Sequence, residues 1–358
     1  MLSPSSRTVL GRRSSPAGES KFLGLSWVQM SETLALDPLP IETLSLPTPY
    51  AVGPVNAYVL TGDPLTMIDA GVNTVDAENA LKLGFAAKGL FIESVQRILI
   101  THGHPDHYGL VPLVHKASKA PAYMGEEEIE RLTDTRTFWE LGRLLLEAGF
   151  PQPLLEDLAE RERKVYRVHQ VIDLECQPVK DGDIFEFRDF MLVAIALPGH
   201  TGGHLGYLEP ATGTLFGGDT LLPHMSPNPI LEPAFDPLLC IPATRRRSLK
   251  QFLESLERLY ALNLNTVYPG HGPVITNPSE AINYMREHHA RRLEVIHKSL
   301  PFDGMSAYQV SQGLYPSVNG YDHFLAVSEV VAHLDVLVDQ GLAEPELRDD
   351  GVEYFCKK

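Results

Sequence analysis

A short segment of the sequence carries four side chains of metal-binding type directly after the β-type apolar segment 95–100. Residues 101–109 read THGHPDHYG and contain His102, His104, Asp106 and His107. Imidazole and carboxylate are among the nitrogen and oxygen ligands that zinc takes in proteins. In an extended segment His102 and His104 point to the same side, because side chains repeat every second residue. Asp106 and His107 are adjacent and cannot both face the metal of that pair in a simple strand, so the spacing suggests two neighbouring metals.

Three further apolar segments end in the same kind of side chain, each flanked by glycine, which lets the backbone turn sharply. They are residues 190–197 before His200, 213–216 before Asp219 and 265–268 before His271. Taken singly, a histidine or aspartate at a strand end is usually a cap or a core polar group, and residues 101–109 could be a polar loop that is only rich in histidine. Together the four units favour one metal site at one edge of the sheets. The predicted ligands are His102, His104, Asp106, His107, His200, Asp219 and His271.

Strand-like segments and helical segments alternate around these motifs, which predicts an α/β fold. Before the first motif, three segments predict strands and a fourth predicts a helix: 41–47, 55–61, 65–69 and 75–88. Residues 126–165 are rich in Leu, Glu and Arg and predict inserted helices that cap a pocket or form a dimer contact. Within this insert, Phe138 and Trp139 are expected in the core or at an interface rather than at a ligand.

The C-terminal segment 301–358 predicts a separate small unit. Helical patterns at 306–315 and 324–340 precede two strand patterns that flank the turn signal Asp349-Asp350-Gly351. Helix, longer helix and β-hairpin form a winged-helix pattern. From Met305 onward there are nine acidic residues and three basic ones, so packing or dimerisation is a better prediction for this unit than DNA binding.

Length and charge limit the functions that remain. The chain has 358 residues, 30 of them basic and 46 acidic, with a net charge of −16, which argues against broad binding of nucleic acid or anionic membranes. No segment is long and apolar enough for a transmembrane helix. Three widely spaced cysteines fit a reducing, cytoplasmic location. We predict a disordered extension at 1–34, with Met30 as an alternative start, a catalytic domain at 35–300 and the small domain at 301–358.

Two segments near the predicted metal edge have open roles. The proline-rich loop 222–242 leaves Asp219 and is either a substrate wall or a rigid surface connection. Arg245, Arg246 and Arg247 then open a helix. A basic triplet of this kind is usually solvated surface, and an anion clamp is the alternative.

The motifs HxHxDH at 102–107, PGHT at 198–201, GD at 218–219 and PGHG at 269–272 resemble those of the metallo-β-lactamase superfamily, in particular its glyoxalase II-like branch. The resemblance covers about residues 40–300 and implies an αββα sandwich with the helical insert. It also implies two divalent metals, zinc first, with iron or manganese as alternatives. The C-terminal unit resembles the winged-helix-like tail of a lactamase-like endoribonuclease branch.

The resemblance further implies how the ligands are divided between the metals. His102, His104 and His200 would hold one metal, and Asp106, His107 and His271 the other. Asp219 would bridge the two, and Asp69 would orient a ligating imidazole from outside the ligand set. True β-lactamases of this fold lack a bridging aspartate, and the flavodiiron branch has glutamate in place of a first-motif histidine. Both are therefore disfavoured.

These features predict a metal-dependent hydrolase in which a metal-bound hydroxide attacks a small thioester, lactone or related ester. Asp106 and Asp219 are the predicted catalytic residues, Asp106 by moving a proton. Two divalent ions outweigh two carboxylates and a hydroxide, so the small-molecule substrate is expected to be anionic or polarised. A dinuclear phosphodiesterase or ribonuclease, a mononuclear-iron persulfide dioxygenase and a binding protein without turnover are the alternatives. No membrane or nucleic-acid partner is expected, and a homodimer stays open.

Overall fold

Strands and helices alternate along the chain. The computed structural model describes residues 39–134, 136–168, 175–223, 225–234 and 244–358, so the predicted extension 1–34 lies outside the described residues. The strands are β1 (Ile41–Leu46), β2 (Val55–Leu60), β3 (Thr66–Ile68), β4 (Arg97–Leu99), β5 (Ala122–Gly125), β6 (Gln177–Val179), β7 (Ile184–Glu186), β8 (Met191–Ala196), β9 (Leu205–Glu209), β10 (Thr214–Gly218), β11 (Pro233–Ala234), β12 (Thr244–Arg245), β13 (Thr266–Pro269), β14 (Met305–Ser306), β15 (Ala343–Leu347) and β16 (Glu353–Lys357).

The helices flank these strands. They are α1 (Val75–Ala87), α2 (Pro105–Tyr108), α3 (Val111–Ser118), α4 (Glu126–Thr133), α5 (Arg136–Glu147), α6 (Gln152–Val168), α7 (Ser248–Ala261), α8 (Pro278–Ser299), α9 (Ala307–Leu314) and α10 (Asp322–Asp339), with a short 3₁₀ turn at Ile92–Ser94. Among the described residues, none of these helices has the combination of length and apolar character that crossing a bilayer requires.

Two mixed sheets contain most of the strands. In the first sheet the described strands run in the order β1-β2-β3-β4-β5-β6, antiparallel as far as β3 and parallel from β3 onward. In the second sheet the order is β13-β10-β9-β8-β7. Among the described strands of this sheet, only β10 and β13 form a parallel pair. In each sheet the carboxyl ends of the parallel strands therefore lie at one edge. The predicted ligands follow strands at this edge.

Strand β2 shows how the layers form. All six of its residues are buried. Val55, Ala57 and Val59 face one apolar core together with Leu81 of α1, and Tyr58 and Leu60 face another core. This two-sided burial follows from the alternation of side chains along a strand.

The cores define four layers. The first core packs α1, α3 and α4 on the outer face of the first sheet. A second core, with Tyr58, Phe185, Tyr207 and Phe216, fills the space between the sheets. A third core packs α7 and α8 on the outer face of the second sheet. The order helix, sheet, sheet, helix confirms the predicted αββα sandwich.

The helical insert and the C-terminal segment share one further core. Leu144 and Leu145 of α5 pack with Val327 and Leu334 of α10 and with Phe355 of β16. The predicted order of helix, longer helix and hairpin is present as α9, α10, β15 and β16. The domain boundary at residue 300 and the winged-helix assignment stay predictions.

The structure also differs from the predicted elements. Strands β5, β6, β7 and β9 and helix α8 were not predicted. The buried stripe of α8 is sparse and contains His289 among Ile282, Met285 and Ile296, so its apolar pattern is weak. Trp139 is 74% exposed, which excludes the core for this side chain and leaves the interface alternative untested. The side chain of Phe138 lies outside the described residues.

Candidate metal centre

The predicted ligands lie at one edge of the two sheets. Asp219 directly follows β10, and His271 follows β13, its parallel neighbour. His102 follows β4 of the other sheet, and His200 follows β8. Because the carboxyl ends of parallel strands meet at one edge, the fold brings together residues that are far apart in sequence.

Residues 105–108 form one helical turn rather than a simple strand. His104 has extended backbone angles and is the N-cap of α2, and Pro105 occupies the first turn, where a missing N–H costs nothing. The carbonyl of His107 accepts a hydrogen bond from the backbone N–H of Ala70 at 2.7 Å. The turn directs Asp106 and His107 toward His271, and these three residues form one of three overlapping candidate groups.

Gly270 leaves room for the site. A Cβ atom at this position would lie 2.1 Å from Oδ1 of Asp219 and 2.7 Å from Cε1 of His107. Both distances are far inside van der Waals contact. The glycine of the PGHG motif is therefore required by the approach of two candidate ligands, in addition to the turn that it makes.

Three imidazoles converge in the first group. Nδ1 of His104 lies 3.0 Å from Nε2 of His102 and 3.0 Å from Nε2 of His200. Ring nitrogens at such separations suit ligands about 2.0–2.1 Å from one zinc ion. The division inferred from the family resemblance assigns the same three histidines to one metal.

The second group contains Asp106, His107 and His271. Oδ2 of Asp106 lies 3.4 Å from Nε2 of His271. Asp219 lies between the groups, with Oδ1 3.4 Å from Nε2 of His107 and Oδ2 3.7 Å from Nε2 of His200 and 3.6 Å from Nε2 of His271. Each group, and the overlapping set His102, His107 and Asp219, has ligand atoms within 4.8 Å of one another.

Several atoms of this cluster have no hydrogen-bond partner within the described part of the protein. Nε2 of His107, Nε2 of His271 and Oδ1 of Asp219 are buried and unsatisfied. Buried polar atoms without a partner cost free energy and are uncommon in folded proteins. Metal ions would satisfy all three atoms, so the residues present fit a metal site.

Hydrogen bonds on the outer side of two rings fix which nitrogen faces the cluster. Nδ1 of His200 lies 2.9 Å from the carbonyl oxygen of Asn228, and Nδ1 of His271 lies 2.9 Å from that of Pro54. A carbonyl oxygen only accepts, so both Nδ1 atoms carry the proton. Each Nε2 then presents a lone pair to the cluster, as metal binding requires.

Asp69 performs the same task for two more rings. Its Oδ2 accepts from Nδ1 of His107 at 2.8 Å and from the hydroxyl of Thr101 at 2.8 Å, and its Oδ1 accepts from the Thr101 backbone N–H at 2.8 Å. Because the Thr101 hydroxyl hydrogen is used on Asp69, its oxygen accepts from Nδ1 of His102 at 3.1 Å. Asp69 has a φ of +55°, in the left-handed region that L-residues with side chains rarely adopt.

The electrostatics divide the cluster in two. Burial, together with neighbouring imidazoles, lowers the pKa of His102 well below its usual value and that of His104 to about 3. Burial also opposes a charge on His107, but the carboxylates of Asp219, Asp69 and Asp106 outweigh burial and raise its pKa well above the usual value. The carboxylates thus favour positive charge at the second group. A bound cation would supply this charge.

Sequence reasoning missed His204. Its Nε2 accepts the backbone N–H of Asp219 at 3.1 Å, so Nδ1 carries the proton and donates to Oγ1 of Thr220 at 3.1 Å. Burial lowers the pKa of His204 to about 3, and the ring stacks on His102 with centroids 4.8 Å apart. The signal was the second histidine of PGHTGGH, four residues after His200.

Sequence reasoning also missed Glu128, which is fully buried. Its Oε2 accepts the N–H of Gly103 at 2.9 Å, and its Oε1 accepts the N–H of Gly203 at 3.0 Å. Arg131 pairs with Oε2 at 2.8 Å. Glu128 thus joins the loop of His102 and His104 to the loop that follows His200. An acidic residue in an acidic helix gave no sequence signal for this role.

The three arginines of the basic triplet pair with carboxylates and do not form a free anion clamp, and only Arg247 is exposed, at 43%, as a solvated surface residue would be. Arg245 donates to Asp335 of α10 at 2.6 Å and to Glu353 of β16 at 2.6 Å, and its side chain is 17% exposed. Arg246 pairs with Glu127 at 2.8 Å, and Arg247 pairs with Asp335. Arg245 and Arg247 attach the C-terminal elements to the start of α7.

The proline-rich loop lies partly within the described residues. Its described part contacts the cluster, since Asn228 holds His200. His224 and residues 235–243 lie outside the described residues. The described part is therefore next to a candidate ligand, and the role of this loop as a substrate wall stays a prediction.

Comparisons with known proteins agree with this geometry. A sequence profile of the metallo-β-lactamase superfamily matches residues 50–271. The probable metallo-hydrolase YqjP of Bacillus subtilis (strain 168) is 32% identical over 304 residues, which cover 83% of this chain and 92% of that protein. An atrochrysone carboxyl ACP thioesterase of Aspergillus fumigatus is 25% identical over 238 residues, covering 66% of this chain and 56% of that protein.

A solved structure agrees over most of the chain. The metallo-β-lactamase family protein TTHA1429 from Thermus thermophilus superimposes with a TM-score of 0.75 at 29% sequence identity, covering 89% of this chain and 99% of that chain. The profile match spans more than half of the sequence, and the αββα layers and the His/Asp cluster are both present. The chain belongs to the metallo-β-lactamase superfamily and carries a cluster of His and Asp residues that can hold metal ions.

Proposed function

We propose that this metallo-hydrolase of the superfamily cleaves a small thioester, lactone or related ester at a site that holds two divalent ions, zinc first. The observation that carries the proposal is the position of Asp219, whose two oxygens approach ligands of both three-residue groups. A carboxylate so placed suits a bridge between two cations. Metal ions bound there would polarise the substrate carbonyl and lower the pKa of a coordinated water to about 7.

The chain's own residues would orient the reactants and manage charge. The Nε2 atoms of His200 and His271 face the cluster because their Nδ1 protons are held outside it. The pKa of Asp106 is lowered, although burial alone would raise it, because His107 and His271 favour the ionised form. Asp106 is therefore ionised at neutral pH and available as a proton acceptor next to the reacting groups.

Charge counting supports an anionic or strongly polarised substrate. Two divalent ions bring four positive charges, and the carboxylates of Asp106 and Asp219 offset two of them. The site would therefore be locally positive in a chain whose net charge is −16. The similarity to a fungal acyl-carrier-protein thioesterase supports an acyl substrate. We further propose a small-molecule substrate rather than nucleic acid, a cytoplasmic location, a glyoxalase II-like specificity and a homodimer.

The test begins with metal quantification on the purified full-length chain. A substrate panel of acyl-glutathione thioesters, lactones and bis-p-nitrophenyl phosphate follows. About two zinc ions per chain and turnover of an acyl substrate are expected. One iron per chain with persulfide oxidation, or turnover of the phosphodiester alone, would overturn the proposal.

Variants identify the site. Asp219→Ala and His200→Ala should abolish turnover and lower the metal content. His115→Ala is the matched control, because His115 donates Nδ1–H to a carbonyl oxygen at 2.8 Å, as His271 does, but belongs to none of the three ligand groups. The proposal fails if either site variant keeps near-normal activity and metal content.

A further inference from the structure

The loop that leaves Asp219 contacts both a candidate ligand and the C-terminal helix α10. One residue makes both contacts. The backbone oxygen of Asn228 accepts from Nδ1 of His200 at 2.9 Å, and the side-chain Nδ2 of Asn228 donates to the carbonyl oxygen of Leu325 at 2.9 Å. Leu325 lies in the first turn of α10. The position of this helix therefore affects the position of the backbone oxygen of Asn228, which holds the ring of His200.

The orientation of the Asn228 amide is defined by this contact. Rotating the amide by 180° would bring two oxygens together at Leu325, so Nδ2 must be the atom that faces α10. Oδ1 of Asn228 is then buried without a partner among the described residues. An unsatisfied buried oxygen of this kind costs free energy, and the hydrogen bond from Nδ2 to α10 offsets part of this cost.

A second chain of hydrogen bonds joins the same loop to α10. Nδ1 of His333 lies 2.7 Å from the carbonyl oxygen of Glu329 and must donate to it. Nε2 of His333 therefore accepts from Nδ1 of His289 at 3.2 Å, and Nε2 of His289 accepts from the hydroxyl of Ser226 at 2.8 Å. The order of donors is fixed from one end to the other. Ser226 is two residues from Asn228.

This series of hydrogen bonds is suited to holding the loop and not to activating Ser226 as a nucleophile. A base at His289 would become positively charged, and the ionisable groups that most affect its pKa are His333, His288 and Arg292, none of which is a carboxylate. Burial, with these neighbours, lowers the pKa of His289 to about 2 and that of His333 to about 4. Both rings stay neutral, so the hydrogen-bond order persists.

We infer that Asn228 is a positioning residue through which α10 sets the orientation and tautomer of His200, with Ser226 as a second anchor of the same loop. The inference rests on the proposed role of His200 as a metal ligand. Partners that hold a metal-binding imidazole from behind typically change metal affinity or activity about 10–100-fold when they are removed. The C-terminal unit would then take part in building the metal site, beyond packing beside it.

The test uses the full-length chain with Asn228→Ala and Ser226→Ala. The first readout is ¹⁵N NMR of the histidine rings in the metal-free protein, which reports the tautomer of His200 without any activity. Wild type should show protonated Nδ1, and Asn228→Ala should show a mixture of tautomers. The second readout is zinc affinity by competition, in which one of two sites should weaken about tenfold. Ser226→Ala should shift both readouts in the same direction.

Ser306→Ala is the control for loss of stability alone. Ser306 caps α9 in the C-terminal unit through a capping box with Gln309, and neither hydrogen bond of this box involves the loop. It should lower the unfolding temperature but leave the His200 tautomer and zinc affinity unchanged. Wild-type tautomer and affinity in folded Asn228→Ala or Ser226→Ala protein would overturn the inference, as would equal effects in Ser306→Ala. Failure of the proposed function is separate, because it would appear as full metal content in His200→Ala.

Discussion

Thr101 donates its hydroxyl hydrogen to Oδ2 of Asp69 over 2.8 Å, and this bond decides which nitrogen of His102 faces the cluster of candidate metal ligands. Once the hydrogen is used on Asp69, the Thr101 oxygen is left as an acceptor for Nδ1–H of His102. Asp69 holds His107 with the same oxygen. Two candidate ligands from different metal groups are thereby oriented by one carboxylate, one of them through a threonine.

This relationship predicts the effect of Thr101→Val, which keeps the shape of the side chain and removes the hydroxyl. Nδ1–H of His102 would lose its acceptor in a buried site. We expect the free energy of unfolding to fall by about 1–3 kcal/mol and zinc affinity to weaken about 10–100-fold. Chemical denaturation and competition with a chelating dye measure the two effects. Thr101→Ser keeps the hydroxyl and is the control, and equal behaviour of the two variants would contradict the prediction.

Replacing Glu128, which is not a candidate ligand, is expected to lower both stability and turnover. In Glu128→Gln one amide N–H would face a backbone N–H of Gly103 or Gly203, and the charge that pairs with Arg131 would be lost. Removing one partner of a buried ion pair costs about 3–5 kcal/mol. We expect a loss of this size in urea unfolding, together with reduced turnover. The neighbouring Glu127→Gln is the control, since the Glu127 side chain is 55% exposed, and it should change stability by less than about 0.5 kcal/mol.

Replacing Arg245 is expected to lower stability without changing substrate binding. Arg245→Met would leave the buried Asp335 carboxylate with the more exposed Arg247 as its remaining cation among the described residues. Removal of one partner is expected to cost about 3 kcal/mol or more. Arg245→Met combined with Asp335→Asn should cost less than the sum of the two single variants, as a double-mutant cycle would show. The KM for an acyl-glutathione substrate should not change, and a large rise in KM would restore the anion-clamp alternative.

The burial of His333 leads us to predict how the free energy of unfolding depends on pH. Burial lowers its folded pKa to about 4, against an unfolded value of about 6.5. Between these values the unfolded chain binds more protons than the folded chain, so stability falls as pH falls from about 6.5 to about 4. His333→Gln should reduce this fall by about 3 kcal/mol, since one pKa unit corresponds to about 1.4 kcal/mol. His289 continues to contribute in both proteins. Urea unfolding of both metal-free proteins across this range measures the difference, and equal slopes would contradict it.

Side-chain type and local periodicity were sufficient to predict a cluster of candidate metal ligands and the class of the fold. Histidine and aspartate stand at the ends of four apolar segments, beside glycines that allow sharp turns, and this pattern predicted a metal cluster at one edge of an α/β fold. A single sequence contains both kinds of information. The C-terminal order of helix, helix and hairpin was predicted for the same reason.

What holds the cluster in place became visible only in the folded chain. Glu128, His204 and Asn228 act through contacts with residues 15 to 97 positions away along the chain, and local pattern does not reveal such pairings. The ring nitrogen that each histidine presents depends on whether its other nitrogen meets a carbonyl, a carboxylate or a hydroxyl. That choice is made by long-range packing, because the partner arrives from another strand or helix. The candidate ligands could therefore be predicted from the sequence, whereas their orientation depends on the fold.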